Sequence, residues 1–176
     1  MNHEEDFVLL ETPRFRVVQI KEPRTDGTVG KRQVVRHPGA VTILPDLEDG
    51  RVCLIRNRRA SVNKSLLELP AGTLEPGEDP VDCASRELAE ETGYRSRSMK
   101  PIHEFFLSPG ILDERMHLFH AQKLVPGSPE REPSEQIENV ILSWEESIHL
   151  IRSGQIEDAK TIVGLLYFDR FRLGDR

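Results

Sequence analysis

The sequence predicts an α/β protein in which helices cover both faces of a mixed β-sheet, with an antiparallel β extension at the N-terminus. Apolar runs typical of strands are mixed with amphipathic helical segments, without the regular strand–helix repeat of a parallel sheet. The chain has 176 residues, of which 37% are hydrophobic and 31% are charged, as expected for one globular domain. A domain of this size needs no disulfide or metal in order to fold.

The first part of the chain is predicted to be the β extension. Two short extended pieces, residues 15–21 and 31–36, flank the turn-rich segment 22–30. An isolated hairpin of this kind is marginally stable at best, so it needs a partner surface. We therefore expect residues 1–37 to form an extension used for dimerisation, and residues 39–176 to form the core of a single domain.

The next segment has the pattern of a β-hairpin followed by a loop. Residues 40–57 comprise two apolar runs, and the turn between them contains Asp49 and Gly50. The stretch 58–80 contains several polar residues, prolines and glycines, and we expect it to be a loop.

A helix is predicted from about Pro80 to Thr92. Asp79 is a suitable N-cap, proline suits the first helical position, and Gly93 suits the position just past the end. Three apolar residues recur at helical spacing and should face the core, Val81, Ala84 and Leu88.

The remaining elements are three strands and two helices. Three apolar runs have the length and composition of strands, residues 101–110, 115–125 and 136–144. Two amphipathic helices are expected at about Trp144–Ser153 and Ala159–Arg172. The first of them begins with a capping box, in which Ser143 is followed three residues later by Glu146, and Gly154 should end it.

Charge and composition argue against several functions. The formal net charge of −6 disfavours nucleic-acid binding, because no basic excess is available to neutralise phosphates. There is no basic leader and no apolar stretch near the roughly 20 residues of a membrane span, so we expect a cytoplasmic protein without membrane association. The two cysteines, Cys53 and Cys83, match no zinc or disulfide pattern and are interpreted as small buried apolar residues.

Acidic residues concentrate on the helix predicted after Asp79 and on the loop before it. Glu87 and Glu91 are four residues apart and share one face of this helix, which Glu90 borders. Carboxylates so close repel one another unless a cation lies between them, and oxygen ligands favour Mg²⁺, or Mn²⁺ in its place. Arg86 can pair with Glu90 or, if the loop folds back, with Glu78, which would hold that acid in place. Taken alone, the cluster is equally compatible with a solvated acidic surface.

The larger pattern resembles the Nudix box, G-x5-E-x7-R-E-U-x-E-E-x-G-U, in which U is apolar or aromatic. Residues 72–94 match at every specified position, namely Gly72, Glu78, Arg86, Glu87, Leu88, Glu90, Glu91, Gly93 and Tyr94. The resemblance implies a Nudix-type α/β/α sandwich and hydrolysis of a nucleoside diphosphate linked to another group. It also implies a metal site whose ligands are Glu87, Glu91, Glu90 and the backbone carbonyl of Ala71.

Signals outside the box resemble the ADP-ribose pyrophosphatases of this family. Pro109 lies sixteen residues after Gly93 within a Ser-Pro-Gly sequence, as in that subfamily. Residues 55–72 are similar to the segment in which the subfamily places a substrate-binding arginine before a Glu-apolar-Pro-Ala-Gly sequence. The resemblance therefore implies substrate contacts from three residues of this segment, Arg59, Arg56 and Glu68.

The resemblance further implies a catalytic base on a mobile loop outside the box. Glu135 is the matching glutamate and Glu132 the alternative, and Glu90 and Arg86 are counted with it as catalytic residues. The implied reaction is the hydrolysis of ADP-ribose to AMP and ribose 5-phosphate by a homodimer. Two alternatives stay open: a Nudix hydrolase of another substrate, such as GDP-mannose or an oxidised nucleotide, and a catalytically silent nucleotide-sensing module.

Overall fold

The computed structural model of the protein describes residues 6–131 and 136–171. The strands in these ranges are β1 Phe7–Glu11, β2 Arg16–Pro23, β3 Val29–Arg36, β4 Ala40–Pro45, β5 Arg51–Arg59, β6 Lys64–Glu68, β7 Ala71–Thr73, β8 Arg95–Phe106, β9 Arg115–Val125 and β10 Ile137–Ser143. The helices are α1 Pro80–Thr92, α2 Trp144–Arg152 and α3 Ala159–Phe171. None of these helices combines the length and the apolar character needed to cross a bilayer.

The strands form three sheets. An N-terminal antiparallel sheet has the order β1-β2-β3, a mixed sheet has the order β7-β4-β9-β8, and a third sheet has the order β10-β5-β6. In the mixed sheet β4 runs parallel to β9, and the other neighbours are antiparallel. Helix α1 packs against β4 and β8, and α3 also contacts β4. The predicted α/β fold class, with its mixed sheet and N-terminal β extension, is confirmed.

Strand β4 lies inside the mixed sheet, between β7 and β9, and all six of its residues are buried. Val41 and Ile43 belong to the apolar cluster that includes Leu88 of α1. Leu44 belongs to a second cluster, which includes Leu165 of α3. Successive side chains of a strand point to opposite faces, so one strand serves both clusters.

The predicted helices are present with small differences at their ends. The side chain of Asp79 accepts a hydrogen bond from the Val81 N–H over 2.9 Å, and Gly93 caps α1 with a φ of 81°. The capping box of α2 is formed, but this helix ends at Arg152, one residue before the predicted end. The predicted end of α3, at residue 172, lies outside the described residues.

The hairpin predicted for residues 40–57 is wrong in its pairing. β4 and β5 belong to different sheets, and an isolated bridge joins Asp46, the residue after β4, to Val52 of β5. The central strand β4 already has β7 and β9 on its two edges, so the turn at Gly50 carries the chain from one sheet to another. The loop expected over residues 58–80 likewise contains the end of β5 and all of β6 and β7. β6 pairs with β5 and β7 pairs with β4, and the short sequences of β6 and β7 carry little strand signal of their own.

The N-terminal sheet is attached to the core through Arg36. Its guanidinium pairs with Asp6 over 2.9 Å and with Asp113 over 3.1 Å. The backbone N–H of His37 donates to the other oxygen of Asp113 over 2.8 Å, and Val35 forms a parallel bridge with Leu112. These contacts place the end of the extension beside the loop that follows β8.

Candidate active site

A cleft of about 930 Å³ lies between the N-terminal sheet and the Nudix-box segment. Its walls include Arg14, Phe15, Arg16, Arg36 and His37 from the extension and its end, Asn57 and Arg59 from β5, and Ala71, Gly72, Arg86, Glu87 and Glu91 from the box and the residue before it. The fold thus brings carboxylates and arginines together in one cavity.

Glu87 and Glu91 bring their carboxylates to this cleft from neighbouring turns of α1. Glu91 is only 4% exposed, and its Oε2 accepts a hydrogen bond from the Ala71 N–H over 2.9 Å. The Glu87 carboxylate lies over Gly72, where an added Cβ would come within 1.9 Å of it. The glycine therefore leaves the space that this acid occupies. Glu90 does not line the cleft, and its side chain is 39% exposed.

Arg86 connects the acids of the box. Its Nε and Nη2 donate to the two carboxylate oxygens of Glu78 over 2.9 and 3.0 Å. Its Nη1 donates to Glu87 over 2.7 Å and to Glu90 over 3.2 Å. The pairs predicted with Glu78 and Glu90 therefore coexist. Hydrogen bonds from Arg86 lower the pKa of Glu78 to about 2, and the bond to Glu78 raises the pKa of Arg86.

The donor set of the cleft fits a hard divalent cation. Glu87, Glu91 and the backbone of Ala71 meet there, and carboxylate and carbonyl oxygens are the ligands that Mg²⁺ and Mn²⁺ prefer. In the part of the chain that the structure describes, no three acidic, histidine or cysteine side chains are grouped closely enough to hold a metal. The three carboxylates accept hydrogen bonds from protein donors: Arg86 binds Glu87 and Glu90, and the Ala71 N–H binds Glu91.

Arg59 lines the cleft as expected, whereas Glu68 does not reach it. The Glu68 side chain is fully buried and accepts hydrogen bonds from Arg59 Nε and Nη2 over 2.8 and 2.6 Å. Burial by itself raises the pKa of Glu68, but the hydrogen bonds from Arg59 and the charge of Lys160 outweigh it, so this pKa is lowered. A direct substrate contact of Glu68 is therefore not supported, because its side chain is buried behind Arg59.

Arg56 lies away from this cleft because side chains alternate along a strand. On β5, Asn57 and Arg59 line the cleft, whereas Arg56 and Arg58 line a separate cavity of about 390 Å³. Arg131 also contributes to that second cavity. The location of the Arg56 side chain therefore does not support the expectation that it contacts the pyrophosphate.

Several residues of the N-terminal extension line the cleft, although no sequence motif indicated a site residue there. Arg14, Phe15 and Arg16 line the cleft from the start of β2 and the turn before it, and Arg36 lines it from the end of β3. The signal for residues 14–16 is their basic and aromatic character, which suits contacts with a phosphate and a base.

The two candidate bases, Glu132 and Glu135, lie outside the described residues. The residues just before them are attached to the end of α1. The Glu130 N–H donates to the carbonyl of Glu90 over 2.9 Å, and Arg131 Nε donates to the carbonyl of Glu91 over 2.9 Å. Glu130 and Arg131 therefore lie at the end of α1, against the backbone of Glu90 and Glu91.

The fold and the cleft define an α/β protein in which an acidic helix faces arginines, an arrangement suited to a phosphate-containing ligand bound with a cation. A family model described as NUDIX domain matches residues 36–163. The chain belongs to this family, and the resemblance of residues 72–94 to the Nudix box is confirmed.

Several known proteins are similar to this chain. The ADP-ribose pyrophosphatase of Bacillus subtilis (strain 168) is 37% identical over 144 residues, which are 81% of this chain and 78% of that protein. The methanol dehydrogenase activator of Bacillus methanolicus is 36% identical over the same shares. A GDP-mannose pyrophosphatase of Yersinia enterocolitica is 34% identical over 94% of this chain and 85% of its own length. The crystal structure of an ADP compounds hydrolase shares the fold, with a TM-score of 0.84, 21% identity, and coverage of 97% of this chain and 92% of that one.

Proposed function

We propose that the protein hydrolyses the pyrophosphate bond of nucleoside diphosphate sugars with the help of Mg²⁺, and that ADP-ribose, cleaved to AMP and ribose 5-phosphate, is its main substrate. The observation that carries the proposal is the cleft in which Glu87 and Glu91 lie opposite Arg59 and the arginines of the N-terminal sheet. The 37% identity to an ADP-ribose pyrophosphatase supports this choice of substrate.

The arginines of the cleft suit a pyrophosphate. Such a group carries two or more negative charges, and guanidinium groups match its oxygens in charge and geometry. Arg59 is the best placed of them, because its Nη1 has no hydrogen-bond partner within the described ranges while Nε and Nη2 are held by Glu68. We assign Arg59 to the pyrophosphate, and Arg14 and Phe15 to the nucleoside end of the substrate.

Glu87, Glu91 and the Ala71 carbonyl would hold the divalent cation, Mg²⁺ or Mn²⁺, with Glu90 at the edge of the site. Such a cation, when bound, neutralises phosphate charge and orients a water for attack. Arg86 contributes by holding Glu87 in place and by closing the preceding loop onto α1 through Glu78. These roles account for the acids and the arginine of the box.

Glu135 is proposed as the general base, with Glu132 as the alternative. A base must come within about 3 Å of the water that it deprotonates. The attachment of Glu130 and Arg131 to the carbonyls of Glu90 and Glu91 supports this assignment, because it places the residues just before the candidate bases at the end of α1.

The N-terminal sheet is proposed to be a dimer interface as well as a wall of the cleft. Large apolar side chains of β1 are exposed, with Phe7 65% and Leu10 51% accessible in the single chain. Apolar surface of this kind is typical of a contact with a second copy. The cytoplasmic location and the division into residues 1–37 and 39–176 stay predictions.

A GDP-mannose substrate is the second candidate, favoured by the 34% identity to a GDP-mannose pyrophosphatase over 94% of this chain. A silent nucleotide sensor is disfavoured, because such a module does not need the clustered acids Glu87, Glu90 and Glu91. Hydrolysis of an oxidised nucleotide is the remaining alternative.

A substrate panel with Mg²⁺ tests the proposal. ADP-ribose and GDP-mannose are incubated with the protein and an alkaline phosphatase, and phosphate release is measured, since the phosphatase acts on the products but not on the intact pyrophosphates. An oxidised deoxynucleoside triphosphate is scored by chromatography, because the phosphatase attacks it directly. ADP-ribose should have the highest kcat/KM. Preference for GDP-mannose would establish the second candidate, and no turnover of any substrate would refute hydrolysis.

A further inference from the structure

A chain of alternating charges runs from the cleft to the beginning of α3. It consists of Arg59, Glu68, Lys160 and Asp158, and we call it the charge chain. Lys160 Nζ donates to Glu68 Oε2 over 2.6 Å, the same oxygen that accepts from Arg59 Nη2 over 2.6 Å. On its other side Lys160 pairs with Asp158 over 2.9 Å. Of these four residues, Arg59 is the one that lines the cleft.

The middle of the charge chain is buried. The Glu68 side chain is 0% exposed and that of Lys160 is 8% exposed. A buried carboxylate is costly unless cations and hydrogen bonds compensate it. Glu68 has two such cations on one oxygen, so Lys160 contributes to holding the carboxylate charged and in place. Without Lys160, Glu68 would keep Arg59 as its charged partner among these four residues, so the position of the buried carboxylate would depend on that guanidinium alone.

The first turns of α3 form a close support for this carboxylate. The Leu69 N–H donates to Thr161 Oγ1 over 2.8 Å, and that hydroxyl donates in turn to Asp158 over 2.6 Å. A Cβ on Gly164 would lie 2.6 Å from Leu69 Cδ1, so α3 packs tightly on the residue after Glu68. Lys160 therefore lies on a part of α3 that is packed tightly against the residue after Glu68.

We propose that Lys160 is a positioning residue for substrate binding: it holds Glu68 Oε2 from outside the cleft, and Glu68 then orients the guanidinium of Arg59 toward the pyrophosphate. The inference rests on the proposed function for the identity of the ligand that Arg59 contacts. The orientation of Arg59 by Lys160 and Glu68 is a property of the protein without substrate.

The test compares Lys160→Met with a matched control, Lys64→Met. Lys64 pairs with Glu157, and both side chains are about half exposed, so this ion pair also joins β6 to the segment before α3 but does not touch Glu68. Displacement of a positioned group by about 1 Å can cost about 100-fold, so Lys160→Met should raise the KM for ADP-ribose by about 10-fold or more. We expect kcat to change by less than about 3-fold, and the control to match the wild type.

A second readout needs no substrate. The ¹⁵N resonance of the Arg59 Nε–H group, identified by its loss in Arg59→Lys, reports the hydrogen bond to Glu68. Its exchange with water should become faster by about 10-fold or more in Lys160→Met and stay unchanged in Lys64→Met. If the Arg59 Nε–H group exchanges with water at the same rate in Lys160→Met as in the wild type, the proposal is overturned. If ADP-ribose is not hydrolysed but this exchange becomes faster in Lys160→Met, the proposed function fails and the positioning role stands.

A double-mutant cycle identifies the residue through which Lys160 acts. In an Arg59→Lys background, Lys160→Met should change KM by less than about 3-fold, because the group that it positions has been replaced. Equal effects in the two backgrounds would refute action through Arg59. Lys160→Arg should restore most of the affinity. If Lys160→Met does not fold, Lys160→Gln keeps a hydrogen-bond donor without the charge, and the same two readouts decide.

Discussion

The guanidinium of Arg86 and the carboxylate of Glu78 form a two-point hydrogen bond, with distances of 2.9 and 3.0 Å. Glu78 lies in the loop before α1 and Arg86 lies in the second turn of that helix. The Glu78 carboxylate also accepts from the Glu75 N–H over 3.0 Å. The pair thus closes the loop of the box onto its own helix, and both side chains are largely shielded from solvent.

This pair makes the stability of the protein dependent on pH. The pKa of Glu78 is lowered from 4.5 to about 2 by Arg86, so its stabilisation is complete above pH 4.5 and is lost as the pH falls toward about 2. A Glu78→Gln variant should be less stable than the wild type at pH 7, and the difference should shrink below pH 4.5. Urea unfolding at a series of pH values measures this. A constant difference across that range would contradict the prediction.

Metal dependence through α1 is tested with Glu91→Gln. The side-chain oxygen of glutamine can still accept the hydrogen bond from the Ala71 N–H, so folding should be spared. Loss of one preorganised charge should lower kcat by about two to three orders of magnitude. The matched control is Asp82→Asn, which changes an exposed acid on the same helix outside the cleft. Full activity in EDTA, or a near-normal rate of Glu91→Gln, would show that the acids do not act through a metal.

The catalytic base is tested by comparing Glu135→Gln with Glu132→Gln. Removing a general base costs about 10² to 10⁴ in rate and should leave substrate affinity nearly unchanged. We therefore expect Glu135→Gln to lower kcat with little change in KM, and Glu132→Gln to be mild. The opposite order would place the base three residues earlier. Two mild variants would indicate that water is activated without a glutamate from this segment.

The dimer is tested by light scattering at micromolar concentration. We expect about twice the chain mass of 20.1 kDa, because the exposed apolar residues of β1 need a partner surface. Deleting the residues before Gly39 should abolish both dimerisation and activity, since it also removes Arg14, Phe15 and Arg36 from the cleft. A fully active monomeric truncation would exclude both roles of the extension.

Local signals predicted the parts of the structure that depend on local interactions. The ends of α1 follow from Asp79, Pro80 and Gly93, and the capping box of α2 follows from Ser143 and Glu146. These side chains bond to backbone groups within a few residues, so their effect is visible in the sequence. Helical spacing also indicated that Arg86 can pair with Glu90, or with Glu78 if the loop folds back, and both pairs are present.

Properties that depend on distant partners could not be predicted. The pairing of β4 with β9 joins residues more than 70 positions apart, and nothing near the turn at Gly50 indicates it. The burial of Glu68 depends on Lys160, which lies 92 residues later in α3. The sequence also does not indicate which face of β5 lines the cleft. Arg56 and Arg59 have the same local chemistry, and they differ in the side of the strand that they occupy.

Gly72 has a consequence for protein engineering. The atoms that an added Cβ would meet belong to the end of the flexible side chain of Glu87, at 1.9 Å, and not to the backbone. A small residue at this position can therefore be accommodated by swinging the acid aside, and the protein would still fold. A library selected for expression or thermal resistance would retain such variants, although the acid proposed to hold the cation had been displaced. Variants at residue 72 must therefore be screened for turnover, because a substitution there need not lower stability.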